Sequence, residues 1–160
     1  MIEIKEIRTL EQAQQLAEVC EPLVKERLPM HPYSVSKVVA SCLTIIHDLE
    51  RSKYNAWIAY VDGKPAGGLS AAISEYMYSY EVYASDHLFF VLPEYRKTRV
   101  LFRLIREYEE WARLGGAVEI LLTVLRPGDE MDAVLAQFPR IGYIPAGAVF
   151  YKSTCGRIRQ

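Results

Sequence analysis

Five basic side chains, Arg96, Lys97, Arg99, Arg103 and Arg106, fall in one short span of the chain. They follow an apolar run, His87-Leu88-Phe89-Phe90-Val91-Leu92, and a turn, Pro93-Glu94-Tyr95-Arg96-Lys97-Thr98. An amphipathic segment from about Arg99 to Leu114 comes next, is ended by Gly115-Gly116, and leads into a second apolar run, Ala117 to Leu125. Strand, basic turn, helix, strand is a βαβ unit. The N–H groups at the start of a helix lack carbonyl partners, and the helix dipole is positive there. With arginine and lysine beside it, such a start suits an anion. The chemistry this points to is the docking of a phosphate-bearing cofactor on the turn after strand Leu88–Leu92.

The rest of the chain must position that unit. Its 160 residues suit one domain with a real core. Hydrophobic residues at 51% and charged residues at 24% are those of a soluble globular protein. A net charge of -1 gives no global electrostatic case for nucleic acid or an anionic membrane. The apolar stretches are too short to span a bilayer. Met1 to Glu6 alternates in polarity like a strand and lacks the apolar core of a signal peptide. Cys20, Cys42 and Cys155 are odd in number and widely spaced, so reduced thiols in a cytoplasmic protein are the simplest account. His31, His47 and His87 are equally scattered, and no spacing suggests a metal.

In chain order, Ile2-Glu3-Ile4-Lys5 reads as a strand. Thr9-Leu10-Glu11-Gln12 is a capping-box signature. The helix after it carries Leu10, Ala13, Leu16, Ala17, Cys20, Leu23 and Val24 on one stripe. Pro29, His31, Pro32 and Tyr33 read as a loop. A second helix starts near Ser34 or Ser36, with Val38, Val39, Cys42, Leu43, Ile46 and Leu49 at helical spacing. Ala56–Val61, Asp62-Gly63 and Lys64–Ile73 form a hairpin, since both turn positions favour residues that tolerate positive φ. Gly67-Gly68 in its second arm suggests a bulge or a close backbone approach.

At strand spacing Tyr76, Tyr78 and Tyr80 would share one face. Packing on a half-exposed strand or an oligomer contact is the simpler reading, and a tyrosine-lined cleft the sharper one. In the βαβ helix, Leu101, Leu104, Ile105, Tyr108, Trp111 and Ala112 form the buried stripe, and the two flanking strands should be parallel neighbours. Asp129 could cap a short helix from Glu130 to about Phe138 that Pro139 and Gly142 stop. A last strand runs from Ala148 to Tyr151. The expected organisation is one α/β domain, residues 1–152, with a mixed central sheet flanked by helices, and a polar tail, residues 153–160.

This order of elements, with Val91-Leu92-Pro93-Glu94-Tyr95-Arg96, resembles the GNAT superfamily of acyl-CoA N-acyltransferases over nearly the whole chain; the compact versions encoded by tailed bacteriophages look closest. Three local matches carry the resemblance. Phe89, Phe90 and Val91 sit where members offer strand backbone to the pantetheine arm of acetyl-CoA. Arg96, Lys97, Thr98, Arg99, Val100 and Leu101 sit at the pyrophosphate loop. Phe138-Pro139-Arg140-Ile141-Gly142-Tyr143 sits where members read Tyr-x-[K/R]-Leu-Gly-Phe or similar. Arg99 and Leu101 replace a glycine and a small residue of the loop, and Phe138 replaces a tyrosine that protonates the leaving thiolate in many members.

The resemblance implies transfer of an acetyl group from acetyl-CoA, as co-substrate, to an amine that attacks directly. The basic cluster would then meet the coenzyme phosphates, with Arg96 the leading ligand. A backbone N–H near Val91 would polarise the thioester carbonyl. A carboxylate or histidine would take the amine's proton: Asp86 or Glu81 first, with His87 and Glu75 also in place. Tyr143 or Tyr151 would stand in for the missing tyrosine. The Pro29–Tyr33 loop and the tyrosine run would flank the acceptor cleft, and aromatic and acidic residues there would suit a cationic or aromatic amine. No membrane, nucleic-acid or metal partner is expected, and a homodimer is compatible with the tyrosine run. The alternative is a catalytically inactive binding module that keeps the fold and has lost the coenzyme, as Arg99, Leu101 and Phe138 would allow.

Overall fold

The structure, a computed structural model, describes residues 1–27, 32–48, 53–124 and 136–147. The chain divides into two compact units, Met1–Thr123 and Val124–Gln160. In the first, the elements are β1 (Ile2–Glu6), α1 (Leu10–Arg27), α2 (Val35–His47), β2 (Tyr54–Val61), β3 (Lys64–Glu75), β4 (Val82–Val91), α3 (Val100–Leu114) and β5 (Ala117–Leu121). Among the described residues the strands form one sheet in the order β1-β2-β3-β4-β5. The first four are antiparallel neighbours, and β4 and β5 are parallel. This is the mixed sheet and βαβ unit expected. In the second unit the described residues carry a 3-10 turn, Phe138–Ile141, closed by Gly142 in the left-handed region at φ 91°. Pro139 sits inside the first turn of that 3-10 helix. The expected helix from Glu130 and the strand Ala148–Tyr151 lie outside the described residues.

Local chemistry explains the helix starts. The Gln12 N–H donates to the Thr9 hydroxyl at 3.2 Å, and the Gln12 side-chain oxygen accepts from the N–H groups of Arg8 and Thr9 at 2.7 and 3.1 Å. That is the reciprocal capping box read from the sequence. Ser34 caps α2 by accepting from the Lys37 N–H at 3.2 Å. Asp62 and Gly63 both take positive φ, 49° and 78°, as a tight hairpin between β2 and β3 demands.

Strand alternation sorts the core onto two faces of the sheet. Ala56, Ile58 and Tyr60 of β2 pack with Ala13 and Leu16 of α1 and Cys42 and Ile45 of α2. Trp57 and Ala59 point the other way, onto Val100, Leu104, Tyr108 and Ala112 of α3. Leu10, assigned to the α1 stripe, is instead exposed at the first helical position, while Ile45, not assigned to α2's stripe, is buried.

Gly67 and Gly68 allow close approach on both faces. A Cβ on Gly67 would meet the Phe90 carbonyl oxygen at 2.7 Å, and one on Gly68 would meet the Leu16 side chain and, at 2.9 Å, the Phe90 ring. A bulge also falls here, between Ala59 and Tyr60 opposite, so both readings of this pair hold.

The tyrosine run is not a strand. Tyr76 to Glu81 form the tip between β3 and β4, where the Tyr76 N–H donates to the Glu81 carbonyl at 3.2 Å and the Glu81 N–H to the Ser79 hydroxyl at 3.1 Å. Tyr78 and Tyr80 project into solvent, and the Tyr76 ring lies 4.7 Å from that of Tyr83. Hairpin closure across Ser79 overrides the strand spacing of the tyrosines. Among the described residues no helix is long and apolar enough to cross a membrane.

Candidate active site

The site grows from an irregularity in β4. Ser70 of β3 pairs with Leu88 of β4, but Ala71 pairs with Asp86, so His87 is an extra residue with no partner on β3. A bulge of this kind bends its strand and raises the local twist. The parallel pairing of β4 with β5 covers Val82 to Ser85 opposite Ala117 to Leu121 and stops there. Among the described residues, β4 from His87 to Val91 has β3 on one side and no strand on the other. Its backbone groups on that side face the opening between the strands.

Two contacts hold the end of β5 at the start of this opening. The Asp86 carboxylate accepts the Thr123 N–H at 2.7 Å. The fully buried Tyr108 of α3 donates its hydroxyl to the Leu121 carbonyl at 2.9 Å. Burial pushes the Asp86 carboxyl above its ordinary value, opposed by the Thr123 hydrogen bonds and by the neighbouring His87.

A raised acid titrates in a definite direction. The folded state holds the proton more tightly than the unfolded one, so the group's contribution is fully present below the ordinary aspartate pKa and is lost as pH rises through the folded value. Asp86→Asn removes this loss and keeps an oxygen for Thr123. Its melting temperature is expected to equal or exceed that of the parent at pH 7, with the difference shrinking toward pH 4. Asp86→Ala, which also loses the hydrogen bond, should be less stable than Asp86→Asn by about 1 kcal/mol. Thermal unfolding of the three proteins across that range checks both statements. An Asp86→Asn protein that is less stable at pH 7 than at pH 4, relative to the parent, would contradict the assignment.

On the α1/α2 face of the bulge lies a pocket of about 430 Å³. Helix α1 lines it with Leu16, Cys20 and Val24, and α2 with Val38, Ser41, Cys42, Thr44 and Ile45. Tyr54, Ser70, Ala71, His87 and Leu88 form its sheet wall, and Tyr33, between the helices, completes it. Tyr33 donates its hydroxyl to the Ala17 carbonyl at 2.6 Å. Burial, reinforced by Cys20, pushes the Tyr33 hydroxyl well up, and burial pushes the Cys20 thiol up to about 11 and raises Cys42. All three are neutral near pH 7.

At the far end of β4 a 3-10 turn, Pro93–Tyr95, leads into α3. The Thr98 hydroxyl donates to the Tyr95 carbonyl at 2.6 Å and accepts the Val100 N–H at 3.3 Å. The Arg96 Nε donates to the Val91 carbonyl at 3.4 Å. Arg99 has φ -82° and ψ 7°, a conformation open to any residue, so glycine is not required there by the backbone. Lys97, Thr98 and Arg99 are exposed, and Leu101 packs against the α3 core. Of the two side chains that replace small residues, Arg99 is therefore exposed at the helix start and Leu101 lies against the core.

The structure brings Asp86, His87, Phe89, Phe90 and Val91 together along one stretch of β4, with Arg96 to Leu101 directly after it. Glu81 is set apart. It lies in the hairpin tip, six positions before His87, roughly 20 Å away at strand rise. Glu75 closes β3 at that same end. Tyr143 belongs to the second unit, where its N–H donates to the Phe138 carbonyl at 3.1 Å and its ring meets Phe138 edge-on at 5.9 Å. Tyr151 is outside the described residues. Among the described residues no group of three histidine, cysteine, aspartate or glutamate side chains is placed to hold a metal. The pocket walls from α1 and α2 went unread in the sequence; the signal was the small Cys20 and Cys42 within two stripes of larger apolar residues, with Ser41 and Thr44 beside the second.

A central sheet split beside a bulge, with a helix N-terminus at the mouth, is an acyltransferase architecture, and the comparisons agree. The profile of the "Acetyltransferase (GNAT) family" matches residues 11–137. The chain belongs to the GNAT acetyltransferase family. No curated protein sequence matches it. Among solved structures it is similar to a transcriptional regulator from Bacillus halodurans C-125, with TM-score 0.73 and 15% identity over 96% of this chain and 99% of that one. It is similar to AAC(6')-Iy in complex with the bisubstrate analog CoA-S-monomethyl-acetylneamine, with TM-score 0.68 and 22% identity over 97% and 99%. It also resembles an aminoglycoside acetyltransferase, meta-AAC0020, from an uncultured soil metagenomic sample in complex with sisomicin, with TM-score 0.65 and 17% identity over 96% and 95%. At these identities the likeness is one of fold.

Proposed function

We propose that this chain transfers an acetyl group from acetyl-CoA to an amine acceptor by direct attack. The observation that carries the reading is the open flank of β4 after Ser85, which ends at the basic N-terminus of α3. The residues there fit the coenzyme. Phe89 to Val91 offer backbone groups to an extended amide-bearing arm. The N–H groups of Leu101 and Phe102, in the first turn of α3, have no carbonyl partner within the helix. Lys97 and Arg99 add charge beside them, and phosphate is the anion they suit. Arg96 holds the strand end through Val91 and orients the turn.

In the transfer, the amine nitrogen forms a bond to the acetyl carbon, and the carbon–sulfur bond breaks with its electron pair leaving on sulfur. The proton lost by nitrogen passes to a base, and the thiolate leaves as such or takes a proton from solvent. The reading assigns the base to His87, the bulge residue at the pocket wall. Asp86 is a positioning residue that ties β5 to the opening and bears on His87. Glu81 is left without a catalytic part, because the hairpin tip is remote from the bulge. Phe138 cannot donate a proton, and a thiolate of ordinary stability can depart without one.

Thermal unfolding with and without acetyl-CoA tests the reading. A ligand that binds only the native state stabilises it by about 2.7 kcal/mol at a hundredfold excess over Kd. The shift should shrink in Lys97→Ala/Arg99→Ala, whose side chains are exposed and leave the fold intact. The absence of any shift at millimolar acetyl-CoA would replace this reading with that of a binding module.

A further inference from the structure

We infer that the acceptor is a primary amine on an uncharged, apolar body, an arylalkylamine or alkylamine, held in the pocket between α1 and α2. The inference rests on the acetyl-transfer reading for the fate of the amine, but not for the pocket itself. At about 430 Å³ the pocket is roughly three times the apolar cavity of about 150 Å³ that takes up benzene. It has room for a ring and a short chain.

Its chemistry excludes a polycation. Among the described residues, none of the side chains lining it is a carboxylate. Three of its hydroxyls are already committed as donors to helix carbonyls: Ser41 to Lys37 at 3.0 Å, Thr44 to Ala40 at 3.2 Å, and Tyr33 to Ala17 at 2.6 Å. What the walls offer a ligand is mainly the carbon surface of α1 and α2. A second ammonium group carried into such a pocket would lose its hydration with no counter-charge to replace it. A single amine has a different fate. It stays at the sheet wall, beside His87, with the apolar body pointing between the helices. The acidic residues near the tyrosine run, Glu75 and Glu81, belong to the hairpin end and do not line this pocket.

The test separates the pocket from the transfer. Calorimetry of the whole chain with phenylbutylamine, without acetyl-CoA, should show saturable binding, and spermidine should show none. Val38→Phe, and Thr44→Phe at a more exposed position of the same helix, should each weaken phenylbutylamine binding about tenfold or more while leaving the acetyl-CoA melting shift in place. With acetyl-CoA present, kcat/KM for phenylbutylamine should exceed that for spermidine or sisomicin by about a hundredfold. Phenylbutylamine binding without any acetyl-CoA effect would uphold the pocket and overturn the transfer reading. Better turnover of spermidine or sisomicin would overturn the pocket inference and leave acetyl transfer standing. A preference for hexanoyl-CoA over acetyl-CoA that Thr44→Phe abolishes would also overturn it, because the pocket would then hold the acyl chain.

Discussion

Replacing His87 by glutamine is expected to lower kcat/KM about 10²- to 10⁴-fold, the range that a positioned general base contributes. That is roughly 2.7–5.4 kcal/mol of transition-state stabilisation. The change should fall on the chemistry alone. The His87 side chain is exposed, and the bulge that presents it is a backbone feature set by the pairing of Ser70 with Leu88 and Ala71 with Asp86. The acetyl-CoA melting shift should therefore survive, as should amine binding. Glutamine keeps the size and hydrogen-bonding capacity of the side chain but cannot carry the proton away. The limb of the pH–rate profile that reports the base should vanish with it. A His87→Gln protein within about threefold of the parent would remove His87 from the chemistry; loss of the same limb in Asp86→Asn would move the role to Asp86.

The second large effect is on stability. Trp57→Ala is expected to destabilise the fold by about 3–5 kcal/mol, as complete removal of a buried aromatic side chain does. Trp57 is 1% exposed at the centre of β2. Its ring meets Trp111 edge-on at 5.6 Å and Tyr108 at 6.4 Å, so it is one of the contacts through which α3 seats on the sheet. Against a typical net stability of about 5–15 kcal/mol, this loss is a large fraction of the whole. Denaturant unfolding should show a lower midpoint with an unchanged slope. Because Tyr108 also holds the Leu121 carbonyl, the cavity left by Trp57 should loosen the start of the β4–β5 opening. A cost below about 1 kcal/mol would mean that α3 seats by other contacts.

The parts of this fold legible in the sequence were those whose cause is local. Thr9 and Gln12 satisfy each other's N–H groups within one turn, so the start of α1 needed no knowledge of the sheet. Asp62-Gly63 is a hairpin for reasons confined to two residues. The α3 stripe is periodic enough that Leu104, Ile105, Tyr108 and Ala112 all proved buried. Where the cause was non-local the reading failed. Tyr76, Tyr78 and Tyr80 alternate like a strand, yet Ser79 and Glu81 close a hairpin among them. The bulge at His87 exists only in the register between β3 and β4, and no property of His87 announces it. The pocket draws on two helices, three strands and Tyr33, so the apolar character of its described walls could not be seen until the helices were laid on the sheet. For the same reason Arg99 and Leu101 read as obstacles in a phosphate loop, although the Arg99 backbone conformation is open to any residue and Leu101 packs on the core.

Cys20 and Cys42 face the same pocket with thiols that burial holds protonated, Cys20 up to about 11. Cysteine attacks a disulfide reagent only as its thiolate. At neutral pH these two sulfurs should be nearly inert while α1 and α2 stay seated, and should react as the helices lift from the sheet. The wall of the pocket thus carries its own chemical clock. The rate at which a coloured thiol reagent consumes Cys20 and Cys42 measures how often this face of the protein breathes, and a bound amine should slow it.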